Sequence, residues 1–267
     1  MNRALYLKEL KRNRKNAAIW TGIVLAFTLM ILSIYPSFAE MGEELAKLMS
    51  TMPEAYARAF GIDSNTWASI VGFYSTYYGV YITLLMGIFT ASTGATIVGK
   101  EERDGTAEFL LTHPLSRATV SATKMAVLGT LFLIVYAVQS VVAVAGMAVF
   151  GDNVPWATVA AMHVHGFALV LFFTGVGVLL GSLLSVKTNF MGPVVGLIFG
   201  SYFLNAIARS TESVEWLSYA SPYRYLQLHL DGGAMDVAWG ACAAFVAMAF
   251  ALVAVAHRRY LTRDILG

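Results

Sequence analysis

Gly94-Ala-Thr-Ile-Val-Gly99-Lys100 reproduces the first seven positions of a phosphate-cradling loop, in which backbone amides and a lysine hold a nucleotide. The eighth position should offer a hydroxyl to magnesium, but it is Glu101, whose carboxylate repels phosphate. The segment also closes a long apolar run, so we read the match as coincidence and expect no nucleotide site on this chain. His163 and His165 are the next candidates. Two residues apart on a helix they point to nearly opposite sides and do not converge on one ion. Met41, Leu45, Leu48, Met49 and Met52 recur at helical spacing before Pro53. Without histidine or cysteine beside them, the methionines read as the apolar stripe of an interfacial helix rather than a copper contact. The one cysteine, Cys242, sits within an apolar run and reads as a small buried residue. No Ser/His/Asp or Cys/His set can be assembled. The expectation is a chain with no metal and no catalytic residues, not an enzyme by itself.

The elements that carry these residues are long and apolar. The chain is 58% hydrophobic and 13% charged, against roughly 25% charged in soluble domains. Six apolar runs, at about 17–38, 67–98, 120–150, 156–186, 189–208 and 234–256, are each long enough to cross a bilayer, for which about 20 helical residues suffice. Continuous apolar runs predict helices, since a barrel would alternate in short strands. We therefore expect an all-α integral membrane protein, a single transmembrane domain over 1–267, with no separate soluble part. The first run is longer than the core of a cleaved leader (about 7–15 residues), and its loss would leave an odd number of spans, so it is expected to be retained. Residues 1–16 mix Leu5, Leu7 and Leu10 with a basic cluster, as a helix on the inner membrane surface would.

Cations fix the expected orientation. With a cytoplasmic N-terminus, the inside segments hold 14 Lys and Arg, among them Lys8, Lys11, Arg12, Arg14, Lys15, Lys100, Arg103, Lys187 and Arg258. The outside segments hold 4: Lys47, Arg58, Arg209 and Arg224. That asymmetry places both termini in the cytoplasm of a cell-membrane protein. The cores of the six spans carry no Asp, Glu, Lys or Arg. Ion-coupled carriers commonly need such groups in the bilayer, so the composition favours energy delivered from outside the membrane core.

One charged segment stands between the second and third runs. Residues 99–117 read Gly-Lys-Glu-Glu-Arg-Asp-Gly-Thr-Ala-Glu-Phe-Leu-Leu-Thr-His-Pro-Leu-Ser-Arg. Asp104 or Thr106 can cap a short helix, and Glu108 suits the positive end of its dipole. Phe109, Leu110 and Leu111 give that helix an apolar side, Pro114 ends it, and Ser116 is placed to cap the next long helix. A short capped half-apolar helix in a cytoplasmic loop is a docking element.

Two further patterns concern packing or passage. Phe73, Tyr74, Tyr77, Tyr78 and Tyr81 crowd the start of the second run, either as an interfacial aromatic belt or as the wall of a path. Gly192, Gly196 and Gly200 in the fifth run, and Gly175, Gly177 and Gly181 in the fourth, let helix backbones approach closely. Between 209 and 233 lies an apolar outer segment with Trp216, Tyr219, Tyr223 and Tyr225. It suits a pair of short helices dipping into the outer leaflet, interrupted at Pro222.

Taken over its whole length, the chain resembles a permease subunit of the ABC-2 family, the membrane half of ATP-driven exporters. The motif that carries the likeness is Glu101-Glu102-Arg103-x-Gly105-Thr106-x-Glu108-x-Leu110-Leu111-x-x-Pro114-Leu115-Ser116-Arg117, with Lys124 beyond it. Tyr219-Ala-Ser-Pro222-Tyr-Arg224-Tyr225 also resembles the family's pattern before its last span. The resemblance implies a coupling helix between spans two and three, with Thr106 to Leu111 in a cleft of an ATPase subunit. Glu101, Glu102, Arg103 and Arg117 would be its polar rim. It further implies two ABC ATPase subunits, which carry the ATP and magnesium, and a second copy or sister permease. Phe73, Tyr74, Tyr77, Tyr78 and Tyr81 with Gly192, Gly196 and Gly200 would flank a path at the dimer interface. An uncharged aromatic path favours hydrophobic or amphipathic cargo such as an antibiotic, peptide or lipid. The competing expectations are an ATP-independent carrier or channel, and a non-transporting membrane anchor for an ATPase.

Overall fold

The computed structural model describes residues 2–42, 44, 47, 51, 53, 67, 69–100, 115–184, 189–230 and 234–262. They form six long helices, each long and apolar enough to cross a membrane, and no strand occurs among the described residues. The helices are α1 (Arg3–Glu40), α2 (Ile70–Val98), α3 (Arg117–Phe150), α4 (Trp156–Leu183), α5 (Met191–Ser210) and α6 (Trp239–Thr262). Two short 3-10 helices, Glu212–Ala220 and Pro222–Arg224, occupy the apolar segment between α5 and α6. The expected all-α membrane architecture is what the chain forms, with helix ends shifted by a few residues.

The largest shift is at the N-terminus. The basic start was expected as a surface helix separate from the first span, whereas α1 runs unbroken for 38 residues. At 1.5 Å per residue it is about 57 Å long, well beyond a ~30 Å hydrocarbon core. No glycine or proline interrupts residues 3–21, and two polar contacts hold this part against α3. The Asn2 amide donates to Thr123 Oγ1 (3.1 Å), and Tyr6 Oη bonds Thr130 Oγ1 (2.8 Å). The Asn2 side chain also caps α1 by accepting from the Leu5 amide. α6 likewise starts later than its apolar run, because the backbone before Trp239 is bonded to other helices, as described below.

α2 is the central helix. Of its most apolar stretch 78% is buried, against 22% for α1 and for α6. Its most extensive partner is α4, which in turn packs on α6, while α1 lies along α3. Small residues create the α2–α4 contact: Ala91 and Ala95 of α2 meet Gly177 and Gly181 of α4. A Cβ on Gly177 would overlap the Ala91 carbonyl oxygen, and one on Gly181 the Ala95 oxygen. A Cβ on Gly94 would come within 2.9 Å of Val178 Cγ2. Two backbones thus touch directly over more than a turn, where dispersion replaces the hydrophobic effect as the force between helices. The glycines of α5 behave differently. Nothing in the described chain lies within 4 Å of a Cβ built on Gly192, Gly196 or Gly200.

Gly177→Ala and Gly181→Ala are therefore each expected to destabilise the chain by about 1–3 kcal/mol through overpacking, read as a lower thermal midpoint in detergent. Gly196→Ala, placed in open space, should not lower the midpoint of the isolated chain, since Ala is the better helix former.

Candidate functional site

The contacts among helix ends define two ends of the bundle. One, the terminal end, gathers Asn2, Ile97, Ser121, Ser182 and His257; the distal end holds the 3-10 helices. Residues 101–114 lie outside the described residues, and with them the expected docking positions Glu101, Glu102, Arg103, Gly105, Thr106, Glu108, Phe109, Leu110, Leu111 and Pro114. The two anchors of that segment are described. Ser116 caps α3 as its position suggested, its hydroxyl accepting from the Thr119 amide at 3.2 Å, and half-buried Arg117 begins the helix. On the other side Lys124, 1% exposed, donates from Nζ to the Ile97 carbonyl at 2.7 Å. An ammonium group on the last turn of α2 satisfies a carbonyl freed by the helix end and faces the negative end of its dipole. Arg259 does the same for α4, donating from Nε to the Ser182 carbonyl at 3.1 Å. Both α2 and α4 are thus held at this end by cations from neighbouring helices. Gly94 to Val98, the apparent phosphate loop, are helical, with their amides directed along the helix.

Midway to the distal end α2 carries a π-turn, Tyr78–Ile82, a local insertion often found at functional sites. Beside it lies a buried polar cluster. Tyr136 Oη donates to the His163 carbonyl (2.5 Å), so in the Tyr78–Tyr136 pair (2.7 Å) the proton comes from Tyr78. Gln139 Nε2 donates to Tyr74 Oη at 2.6 Å. His163 Nδ1 faces the Val159 carbonyl at 2.8 Å and so carries the ring proton. Its Nε2 and Gln139 Oε1 are then two buried acceptors without a partner. Gln139 and Tyr136 were missed by sequence reasoning. An uncharged polar residue in a long apolar run gives little signal until its partner is seen.

The distal end is closed by irregular backbone. Residues 225–230 and 234–238 lie across the ends of α2 and α4 as a strap whose Leu226, Leu228 and Met235 are buried. Leu228 Cβ sits 3.1 Å from where a Cβ on Gly79 would be, so the π-turn glycine makes room for the strap. Side chains of the long helices satisfy the strap's backbone. Ser75 Oγ accepts from the Leu230 amide (3.2 Å) and Thr158 Oγ1 from the Met235 amide (3.3 Å). His165, 1% exposed, contributes both ring nitrogens. Its Nε2 accepts from the Ala238 amide at 2.9 Å, so Nδ1 holds the proton and donates to the Gln227 carbonyl at 2.7 Å. The two histidines therefore do face different neighbours, as their spacing implied, and His165 is a staple.

The residues expected to flank a path separate into two groups. Phe73, Tyr74 and Tyr78 are fully buried inside the single chain. Tyr77 is half-buried, and Tyr81 is 47% exposed and stacked on Phe27 of α1 at 6.2 Å. The structure thus turns most of the aromatic run into core, leaving Tyr81 and the open glycine face of α5 at the surface. Among the described residues no group of histidine, cysteine or acidic side chains is placed to hold a metal.

Replacing His165 by Leu removes both partners of two buried backbone groups, each worth about 1–3 kcal/mol when left unpaired. Limited trypsin cleavage after Arg224 is expected to accelerate about tenfold or more as the strap opens more often, with helix content retained. An unchanged cleavage rate would show that the strap is held by something else.

A family model described as ABC-2 family transporter protein matches residues 3–265. No curated protein and no solved structure matches the chain. Membership of this family makes the chain a membrane transport component that is not itself catalytic and that associates with ABC ATPase subunits. With six apolar helices, a bundle centred on α2 and a family match over nearly its whole length, the chain belongs to the ABC-2 transporter family as a multi-pass membrane permease component.

Proposed function

We propose that the chain is the membrane-spanning half of an ATP-driven exporter, working as a dimer of identical chains or with a sister permease, and driven by two separate ATPase subunits. ATP and magnesium belong to those subunits. Both termini and residues 99–117 lie in the cytoplasm of a cell-membrane protein, and Thr106 to Leu111 enter an ATPase cleft, with Glu101, Glu102, Arg103 and Arg117 at its rim. The observation that carries this reading is Lys124. It ties α3, which follows the docking segment, to the last turn of α2, which precedes it. A push on the segment would therefore move both helices as one body rather than flex a loop. α2 would pass that movement to α4 through the backbone contacts at Gly177 and Gly181, and to the distal strap through Gly79 and Ser75. The unoccupied glycine face of α5 supports close contact with a second permease, with the path running beside it. A hydrophobic or amphipathic cargo fits an outward surface of this kind.

The carrier or channel alternative predicts transport without an ATPase and tolerance of polar changes in the docking segment. Co-purification from native membranes in mild detergent separates the readings. An ATPase subunit should accompany the wild-type chain and be lost from a Phe109→Asp, Leu110→Asp variant that remains folded. Finding no ATPase with either form, under conditions that keep other membrane complexes intact, would favour the alternative.

The dimer is tested separately by Gly196→Cys. Oxidation in native membranes should yield covalent dimers, whereas Phe250→Cys, an exposed position on α6, should not. Equal yields from the two positions would contradict a dimer face on α5.

A further inference from the structure

The polar cluster beside the π-turn draws its members from three helices. Tyr74 and Tyr78 lie one turn apart on α2, Tyr136 and Gln139 share a face of α3 at three-residue spacing, and His163 comes from α4. The His163 ring packs on both tyrosines of α2, with centroids 6.2 Å from Tyr74 and 4.9 Å from Tyr78. Gly166, three residues on, admits the Tyr78 hydroxyl to the face of α4, since a Cβ there would overlap it. Tyr74, Tyr78 and Gln139 are fully buried, so bulk water does not satisfy their polar atoms. Three hydrogen-bonding capacities are left over in this cluster. Gln139 Oε1 and His163 Nε2 are the two buried acceptors without a partner. Tyr74 Oη accepts from Gln139 Nε2, and no acceptor among the described residues takes the phenol's own proton.

We propose that these three groups bind one ordered water molecule at the junction of α2, α3 and α4. A water that accepts from the Tyr74 hydroxyl and donates to Gln139 Oε1 and His163 Nε2 uses all three capacities. Buried waters make about three such bonds to otherwise unsatisfied groups. One leftover donor with two acceptors suits a neutral molecule. A cation would need acceptors alone and a counter-charge, whereas the cores of the six apolar runs carry no Asp or Glu. An uncompensated charge at this depth costs far more than a hydrogen-bonded water. Each of the three bonds comes from a different helix, so the water acts as a joint. It adds to the Tyr78–Tyr136 and Tyr136–His163 bonds, which already link α3 to α2 and α4 at this level. Neither the inference nor its test depends on the exporter reading.

The test is hydroxyl-radical footprinting of the full chain in lipid nanodiscs without any ATPase, read residue by residue by mass spectrometry. Radiolysis makes the radicals from water itself, so a side chain bonded to a bound water is oxidised even where bulk solvent does not reach. After correction for intrinsic reactivity, Tyr74 should be oxidised several-fold faster than Phe89 and Phe173, which are as deeply buried. Gln139→Met should lower Tyr74 oxidation to the level of Phe89. Loosening of the bundle would raise it, so a fall does not come from misfolding. His163→Phe, which keeps a ring against the two tyrosines, gives the same test if Gln139→Met does not fold. On rapid mixing with heavy-oxygen water, label should enter the Tyr74 products later than those of exposed Tyr219, because an ordered water exchanges slowly. Simultaneous labelling would show bulk water entering by transient opening. That result, or Tyr74 oxidation no faster than that of Phe89, or undiminished oxidation in the folded variants, would overturn the proposal.

Discussion

The contact of α2 with α4 is the constraint on which the rest of the molecule depends. Hydrophobic burial does little to hold two apolar helices together in lipid, because lipid tails are as apolar as leucine. Ala91 and Ala95 against Gly177 and Gly181 replace that force with direct backbone contact. Once α2 and α4 are joined in this way, the remaining helices take positions around them, with α6 against α4 and α5 against α2. Gly175 extends the pattern, since a Cβ there would lie 2.8 Å from the Ala249 carbonyl oxygen of α6.

A helix fixed so closely along its middle can serve as a rigid member between two ends. At the terminal end Lys124 satisfies a carbonyl of its last turn and ties it to the helix that follows the proposed docking segment. At the distal end its first turns carry Ser75 and Gly79, which receive the strap. The strap is irregular backbone near the membrane, and such backbone persists only where protein satisfies its polar groups. Ser75, Thr158 and both nitrogens of His165 do so. The π-turn at Tyr78–Ile82 lies between these ends, beside a tyrosine chain with unpaired acceptors at Gln139 and His163.

The number of spans, the cap at Ser116 and the two short helices before α6 were legible because each depends on local chemistry: apolar length, a hydroxyl before a helical run, a proline in an apolar loop. The roles of the glycines were only half legible. Four-residue spacing announces close approach, but it could not distinguish Gly177 and Gly181, which meet α2, from Gly192, Gly196 and Gly200, which meet nothing in the described chain. The aromatic run of α2 misled for a related reason. Tyrosines near a membrane edge suggest a surface, yet Tyr74 and Tyr78 find hydroxyl and amide partners on α3 and are buried. Gln139 and Tyr136 carried no sequence signal, because their significance lies in which helix faces them. The abrupt change of charge near residue 16 suggests a separate element at the basic start, but backbone continuity is set by the absence of a breaker and by the bonds to Thr123 and Thr130.

The claim that α2 transmits movement from the docking segment can be measured without knowing the cargo. In the proposed dimer, spin labels at Tyr81→Cys, with Cys242 replaced by Ala, report the separation of the two α2 helices in the complex with the ATPase subunits. Trapping the ATPases closed should change that distance in the otherwise unaltered permease and leave it unchanged when Lys124 is replaced by Met, although the ATPases still bind. The same change in the Lys124→Met complex, or none in the parent, would contradict the account.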